Sequence, residues 1–283
     1  MHIVVCIKQV PDSAQIRVHP VTNTIMRQGV PTIINPYDLF ALEAALRLRD
    51  KYGGTVTVLT MGPPMAEDSL RRALSFGVDR AVLLTDRAFA GSDTLATSFA
   101  LSQAIKKIGE TFGAPDIVFT GKQTIDGDTA QVGPGIARRL TLNQLTYVAA
   151  IREVNLEEGT IAAERRAEGG VQVLSTKLPC LITMLEGTNE IRRGSIDVAL
   201  RAARMEIVTW NAATAGISET TKCGLKGSPT VVKRVFAPAP RSEKAFQIDI
   251  SGAAPDAMAA KALDEVFKRL PSLEKELTHL AQS

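Results

Sequence analysis

Ile117-Val118-Phe119-Thr120-Gly121-Lys122-Gln123-Thr124-Ile125-Asp126-Gly127-Asp128-Thr129-Ala130-Gln131-Val132-Gly133-Pro134 is the stretch on which the reading turns. The run 117–120 has the length and apolar continuity of a strand buried on both faces. The next fourteen residues hold three glycines, two Asp, two Thr and two Gln. Ile136, Ala137 and Leu140 then recur on one helical face. A loop that ends a buried strand and opens a helix lies at the carboxyl edge of a parallel sheet. Ligands bind at that edge in open α/β folds, and helix N-termini there offer free N–H groups to phosphate. Gly121 and Gly127 would let backbone approach a ligand closely. Asp128 or Thr129 is placed to cap the helix. An ordinary capped turn is the plainer reading, but it leaves the crowd of uncharged hydrogen-bonding side chains unexplained. Neither Gly-Lys-Ser/Thr nor Gly-x-Gly-x-x-Gly occurs here.

Upstream, the same unit repeats. His2–Ile7, Thr55–Thr60 and Arg80–Leu84 are apolar strands, each followed by a polar loop and an amphipathic helix. Strands alternating with helices predict a doubly wound parallel α/β sheet. Right-handed crossovers then bring the loops at Lys8, Met61, Asp86 and Gly121 to one edge. A nucleotide across that edge would touch all four. The candidate contacts are Cys6, Lys8 and Gln9; Asn35; Met61 and Gly62; Asp86, Gly91, Ser92, Asp93 and Thr94; and Thr120, Gly121, Gln123, Thr124, Asp126, Gly127, Asp128, Thr129 and Gln131. Asn35 is equally an N-cap, with Pro36 in the first helical turn. Ser92, Asp93 and Thr94 serve equally as a cap or as a hold on ribose or pyrophosphate. Gln15–Val18 and Thr24–Arg27 alternate as a small hairpin.

Downstream of Leu140 the pattern changes. Segments 146–154, 160–166 and 171–176 read as an antiparallel meander, and 179–185 as a further buried strand. A polar loop, Glu186–Arg193, leads into a short basic helix, Ser195–Arg204, and a last strand, Glu206–Trp210. Residues 211–253 lose periodicity, with the extended composition of an arm. An amphipathic helix at 256–270 and a final turn through Leu273 and Leu277 close the chain.

The 283 residues are 45% apolar and 22% charged with net charge +3, too balanced for a nucleic-acid surface. No run approaches the ~20 apolar residues of a membrane span. Cys6, Cys180 and Cys223 stand far apart and predict reduced thiols in a cytoplasmic protein without a secretory leader. The three His are scattered, so no metal site is expected. No nucleophile–base pair appears, which suits a protein whose cofactor carries the chemistry.

Six blocks in order resemble the β subunit of electron-transfer flavoprotein: Cys6–Asp12, Ile34-Asn35-Pro36, Met61-Gly62-Pro63-Pro64, Leu84–Phe89, the 121–134 loop and Gly224–Thr230. Within that family, 123–134 resembles the electron-bifurcating type, whose β subunit holds FAD. The ordinary type carries Asp-Asp-x-Asn-Gln there and binds AMP. The resemblance implies a nucleotide domain over 1–210, and an arm and helix over 211–283 packing on the α subunit of a heterodimer. It implies NADH as hydride donor, with one electron leaving through the α subunit to an acyl-CoA dehydrogenase or quinone reductase. The other goes to ferredoxin or flavodoxin. Backbone near Cys6–Gln9 and Met61–Pro63 would face the adenosine, and Thr120, Gly121 and 123–131 the pyrophosphate and ribityl chain. Thr188–Arg193 aligns with the family's recognition loop for partner dehydrogenases, keeping Asn189 and Arg192 but not its leucine, proline and tyrosine. Ile191 or Leu185 would then replace the apolar anchor. The alternatives are a relay subunit with structural AMP, a nucleotide-binding stress or sensor domain without redox role, and a purely structural partner subunit.

Overall fold

Apolar runs and amphipathic stretches assemble into a nine-stranded sheet in the computed structural model, which describes residues 1–12, 17–18, 25–26, 31–230, 247–248 and 254–282. Strand β1 (His2–Cys6) leads into two small antiparallel pairs: β2 (Gln9–Pro11) with β5 (Thr32–Ile34), and between them β3 (Arg17–Val18) with β4 (Ile25–Met26). The expected hairpin is present in this last pair, and its remaining residues lie outside the described ones. There follow α1 (Pro36–Tyr52), β6 (Thr55–Met61), α2 (Glu67–Ser75), β7 (Arg80–Leu84), α3 (Thr94–Phe112), β8 (Ile117–Gly121) and α4 (Val132–Leu140). Then come β9 (Asn143–Asn155), β10 (Thr160–Ala167), β11 (Gly170–Lys177), β12 (Cys180–Met184), α5 (Ile196–Arg204), β13 (Ile207–Trp210), α6 (Pro255–Arg269) and α7 (Pro271–Gln282).

The strand order is β11-β10-β9-β12-β8-β1-β6-β7-β13. From β12 to β13 every neighbour runs parallel, and β9 also starts parallel to β12 before turning antiparallel to β10. The expected doubly wound sheet with antiparallel additions is therefore what forms. Continuous apolar strands explain it. In β1, Ile3 and Val5 face the core beneath α1 and α2, while Val4 and Cys6 face the core beneath α3 and α4. Phe119 and Val118 divide the same way in β8. The chain passes from β1 outward to β6 and β7, then returns through α3 to β8 on the other side of β1. The reversal opens a crevice between the carboxyl ends of β1 and β8, the usual place for a ligand in such sheets.

The chain divides into two compact units, Met1–Ala237 and Pro238–Ser283. Residues 211–230, expected in the arm, pack within the first: Ala212, Ala215, Ile217 and Cys223 lie buried beside Phe89 and Trp210. The apolar residues expected to anchor the arm at 231–236 fall outside the described ones. In the second unit, α6 leaves Leu263 and Val266 exposed, as is Leu270 just after it, and α7 leaves Leu277 exposed.

Candidate functional site

Asp38, in the first turn of α1, sits in the crevice between β1 and β8. One carboxylate oxygen accepts the Lys8 N–H at 2.7 Å, and the other accepts the Gly121 N–H at 3.1 Å. The side chain is 5% exposed. Burial pushes its carboxyl up to about 7, opposed by hydrogen bonds from Asn35, Lys8 and Gly121. A Cβ on Gly121 would stand 2.5 Å from this carboxylate and 2.6 Å from the Tyr37 Cβ. Glycine is needed there for close helix–strand approach, a different reason from approach to a ligand. Asn35 is fully buried and does not cap α1 with its side chain. Its amide instead donates to the Gln123 carbonyl at 2.9 Å and accepts from the Ile125 N–H at 3.2 Å. Asn35 stands at the expected N-cap position, but its side chain holds the start of the 121–131 loop instead of capping the helix.

That loop turns on residues other than its glycine. Asp128 and Ala130 adopt left-handed backbone with φ of 50° and 55°, whereas Gly127 does not. The Gln123 amide donates to Asp128 at 2.8 Å, and the Lys8 ammonium reaches Asp126 at 2.8 Å. Hydrogen bonds from Lys8 hold the Asp126 carboxyl below its usual range against the opposing effect of burial. Lys122 lies over the rings of Tyr37 and Tyr147 at 5.1 and 5.8 Å. Neither Asp128 nor Thr129 caps α4. The N-cap position is Gln131, without a side-chain cap, because the helix begins at Val132, beyond the reach of both. Gln131 instead accepts from the Thr94 hydroxyl at 2.8 Å. Among the described residues no side chain caps the Val132 and Gly133 N–H groups; Pro134 has none, and the Gly135 N–H goes to the Gln131 carbonyl at 2.9 Å. Thr120 is buried, its hydroxyl directed to the Gly121 carbonyl. Burial lifts the Cys6 thiol to about 12, so it stays protonated. Gln9 donates to the Met65 carbonyl at 3.2 Å, tying the loop after β1 to that after β6. Met61 ends β6, and a Cβ on Gly62 would meet that of Ala66 at 2.9 Å.

The loop after β7 is bonded inward. Asp86 accepts the N–H groups of Ala88 and Ala212 at 2.9 and 3.1 Å, which lower its carboxyl. Ser92 accepts the Gly224 N–H at 3.0 Å. Asp93 caps α3, accepting from Leu95 and Ala96 at 3.0 Å, and also takes the Thr230 hydroxyl at 2.8 Å. Gly91 is left-handed at φ 74°, with Leu225 packed where a Cβ would stand. Only Thr94 reaches toward the 121–131 loop. Asp86, Ser92 and Asp93 are each engaged by the chain's own 212–230 segment. Asp38 and the 212–230 partners escaped the sequence reading. An Asp two residues after Asn-Pro was the one visible signal.

The electron transfer flavoprotein domain matches residues 22–215. Protein FixA of Azorhizobium caulinodans is 74% identical over 283 residues, covering 100% of this chain and 99% of its own. Protein FixA of Azotobacter vinelandii is 65% identical over 281 residues, covering 99% of this chain and 100% of its own. Electron transfer flavoprotein subunit beta of Clostridium acetobutylicum is 48% identical over 234 residues, covering 83% of this chain and 87% of its own. The chain belongs to the electron transfer flavoprotein family. It is of the β type.

In this member of the family the side chains after β12 turn inward. Arg192 donates to Glu43 at 2.8 Å and to Asp50 at 2.7 Å. Glu43 is 3% exposed; burial opposes its ionisation, but the Arg192 and Arg47 bonds outweigh it and hold its carboxyl low. Asn189 donates to the Phe40 carbonyl at 3.0 Å. Both side chains thus fasten the segment to α1. Leu185 is buried, and Ile191 is half-buried. Neither stands out as an anchor. The open apolar residues are Ile196 and Leu200 on α5, 79% and 54% exposed, amid Arg193, Arg201 and Arg204. No helix among the described residues is long and apolar enough to cross a membrane.

Proposed function

We propose that this chain is the β subunit of a heterodimeric, electron-bifurcating electron transfer flavoprotein, holding FAD along the β1/β8 crevice. The reading is carried by the 121–131 loop. It places Gln123, Thr124, Asp128, Thr129 and Gln131 at the sheet edge, beside a helix start whose N–H groups no side chain caps. These residues fit a dinucleotide. The α4 N-terminus suits a pyrophosphate, and Lys8 and Lys122 supply positive charge on either side of Asp38. Asp-Gly-Asp-Thr stands where the AMP-holding type carries Asp-Asp-x-Asn-Gln, which favours FAD. When bound, FAD supplies acceptance of a hydride from NADH and release of single electrons.

The chain's own residues bind and orient. Asn35 and Asp38 hold the loops at fixed spacing. The Thr94–Gln131 contact joins the α3 and α4 starts, where NADH would approach. The exposed row on α6 suits packing on the α subunit. Ile196 and Leu200 suit docking of the high-potential acceptor, an acyl-CoA dehydrogenase or quinone reductase; ferredoxin or flavodoxin takes the other electron.

The test is extraction of nucleotides from the purified αβ pair, identified by mass and absorption. Two FAD per pair supports the proposal. One FAD with one AMP leaves a relay subunit and ends the bifurcating reading.

A further inference from the structure

We propose that Asp38 is a positioning residue for the bound nucleotide: one carboxylate oxygen fixes the turn after β1, the other fixes the turn after β8, and the nucleotide is held tightly only when both are fixed. The proposal rests on the functional reading above, since it concerns the same crevice. Lys8 and Gly121 lie 30 and 83 residues from Asp38, so this one side chain joins three separate parts of the chain. Each loop carries groups that face the candidate ligand: Lys8 on the first, Gln123 to Gln131 on the second. A carboxylate suits two converging N–H donors because both its oxygens accept. A carboxamide has one acceptor, and its NH2 would confront the second N–H.

The surroundings make the clamp sensitive to protonation. Cys6 lies on β1 with its thiol protonated. Lys8 lies on the turn beyond, held to Asp126 at 2.8 Å. Lys122 follows Gly121 and is drawn to Tyr37 on α1 and to Glu186 after β12 at 3.9 Å. Lys8 is thus the cation that favours the ionised form, while burial opposes it and lifts the carboxyl to about 7. Protonated, Asp38 turns an O–H toward a donor and loses one tie. The clamp therefore closes as pH rises through neutrality.

The αβ complex is prepared with the chain unaltered and with Asp38→Asn, and release of FAD is followed by fluorescence from pH 6 to 8. Release from the unaltered complex should slow about tenfold over that range, as expected for gain of a hydrogen bond to a charged acceptor. Release from D38N should be fast and independent of pH. In parallel, the amide resonances of Lys8 and Gly121 should titrate together in the unaltered protein and stay fixed in D38N. Equal release from both proteins, or the same pH profile in both, overturns the proposal. If the complex holds AMP rather than FAD, the same comparison is made on AMP release. The FAD assignment then fails while the clamp is still tested. If it holds neither, the functional reading fails, and two amides that do not titrate together overturn the clamp separately.

Discussion

The loops after β7 and β8 look alike in sequence and differ in the folded chain. Both follow buried strands, open helices and carry Gly, Asp and Thr. In the β7 loop, Asp86, Ser92 and Asp93 bond to the chain's own Ala212, Gly224 and Thr230. In the β8 loop, Asn35 and Asp38 hold the backbone from beneath, and side chains from Thr124 to Thr129 remain largely in the open. A polar loop at a sheet edge thus has two explanations, a ligand or a distant segment folded over it. Substitutions in the two loops should separate these.

The largest effect is expected within the β8 loop itself. Gly121→Val drives a side chain into Asp38 and Tyr37, both part of α1 and unable to withdraw. It should cost about 3 kcal/mol and the β-site nucleotide together, read as a lowered thermal midpoint and one FAD fewer per αβ pair. Gly127→Val should separate the two losses. Gly127 needs no left-handed backbone, and the nearest atom to an added Cβ is the Thr124 hydroxyl at 3.3 Å. A folded heterodimer without β-site nucleotide is the expected outcome. Full nucleotide occupancy in G127V would break the assignment of this loop.

Asp93→Ala should come next, with the opposite signature. It removes an N-cap from α3 together with the bonds from Thr230, at a cost of about 2 kcal/mol, yet leaves nucleotide content unchanged. Burial works against ionisation of Asp93, but hydrogen bonds from Ala96 and Thr230 outweigh it and hold its carboxyl below the usual range. Its stabilisation is therefore present above the ordinary carboxylate range and is lost as pH falls through the lowered folded value. In acid, denaturation midpoints of D93A and the unaltered protein should converge. Loss of nucleotide from D93A at neutral pH would mean that this loop also faces the ligand.

Strands and helices were legible because their apolar periodicity is local. β8, β1 and β7 are continuous apolar runs, and α3 and α5 begin at the serine or aspartate that caps them. The parallel start of β9 against β12 was not legible, since pairing partners are chosen by the whole sheet. Asp38 was hidden for a related reason: its acceptors are filled by backbone N–H groups, which no side-chain pattern records. The resemblance assigns Asn189 and Arg192 to partner recognition, but it does not say what their side chains pack against. A buried Glu43 on α1 draws Arg192 inward. Ile196 was overlooked because it lies inside a helix that reads as basic.

Asp128 tests backbone against side chain. With φ at 50°, Asp128→Ala places an unsupported Cβ in the left-handed region and should cost about 1 kcal/mol, while Asp128→Gly should be neutral or slightly stabilising. Both remove the carboxylate that accepts from Gln123. If the side chain orders the loop for the ligand, both lose nucleotide affinity although only one loses stability. If D128G keeps full affinity, the left-handed turn alone shapes the loop.

The smallest effect on stability is expected at Lys8. Its pair with Asp126 is exposed on both sides, 47% and 33%, and such pairs contribute less than ~1 kcal/mol and weaken with salt. Lys8→Met should therefore leave the unfolding midpoint nearly unchanged, and the difference should vanish at high ionic strength. Nucleotide release should respond far more, because a ligand carrying phosphate competes with Asp126 for the same ammonium. The ordering of the two effects is the test. A phosphate-facing lysine gives a large, salt-dependent change in release with a small change in stability. A lysine that serves only Asp126 gives small changes in both, and the cationic side of the crevice would then have to come from Lys122 and the α4 N-terminus alone.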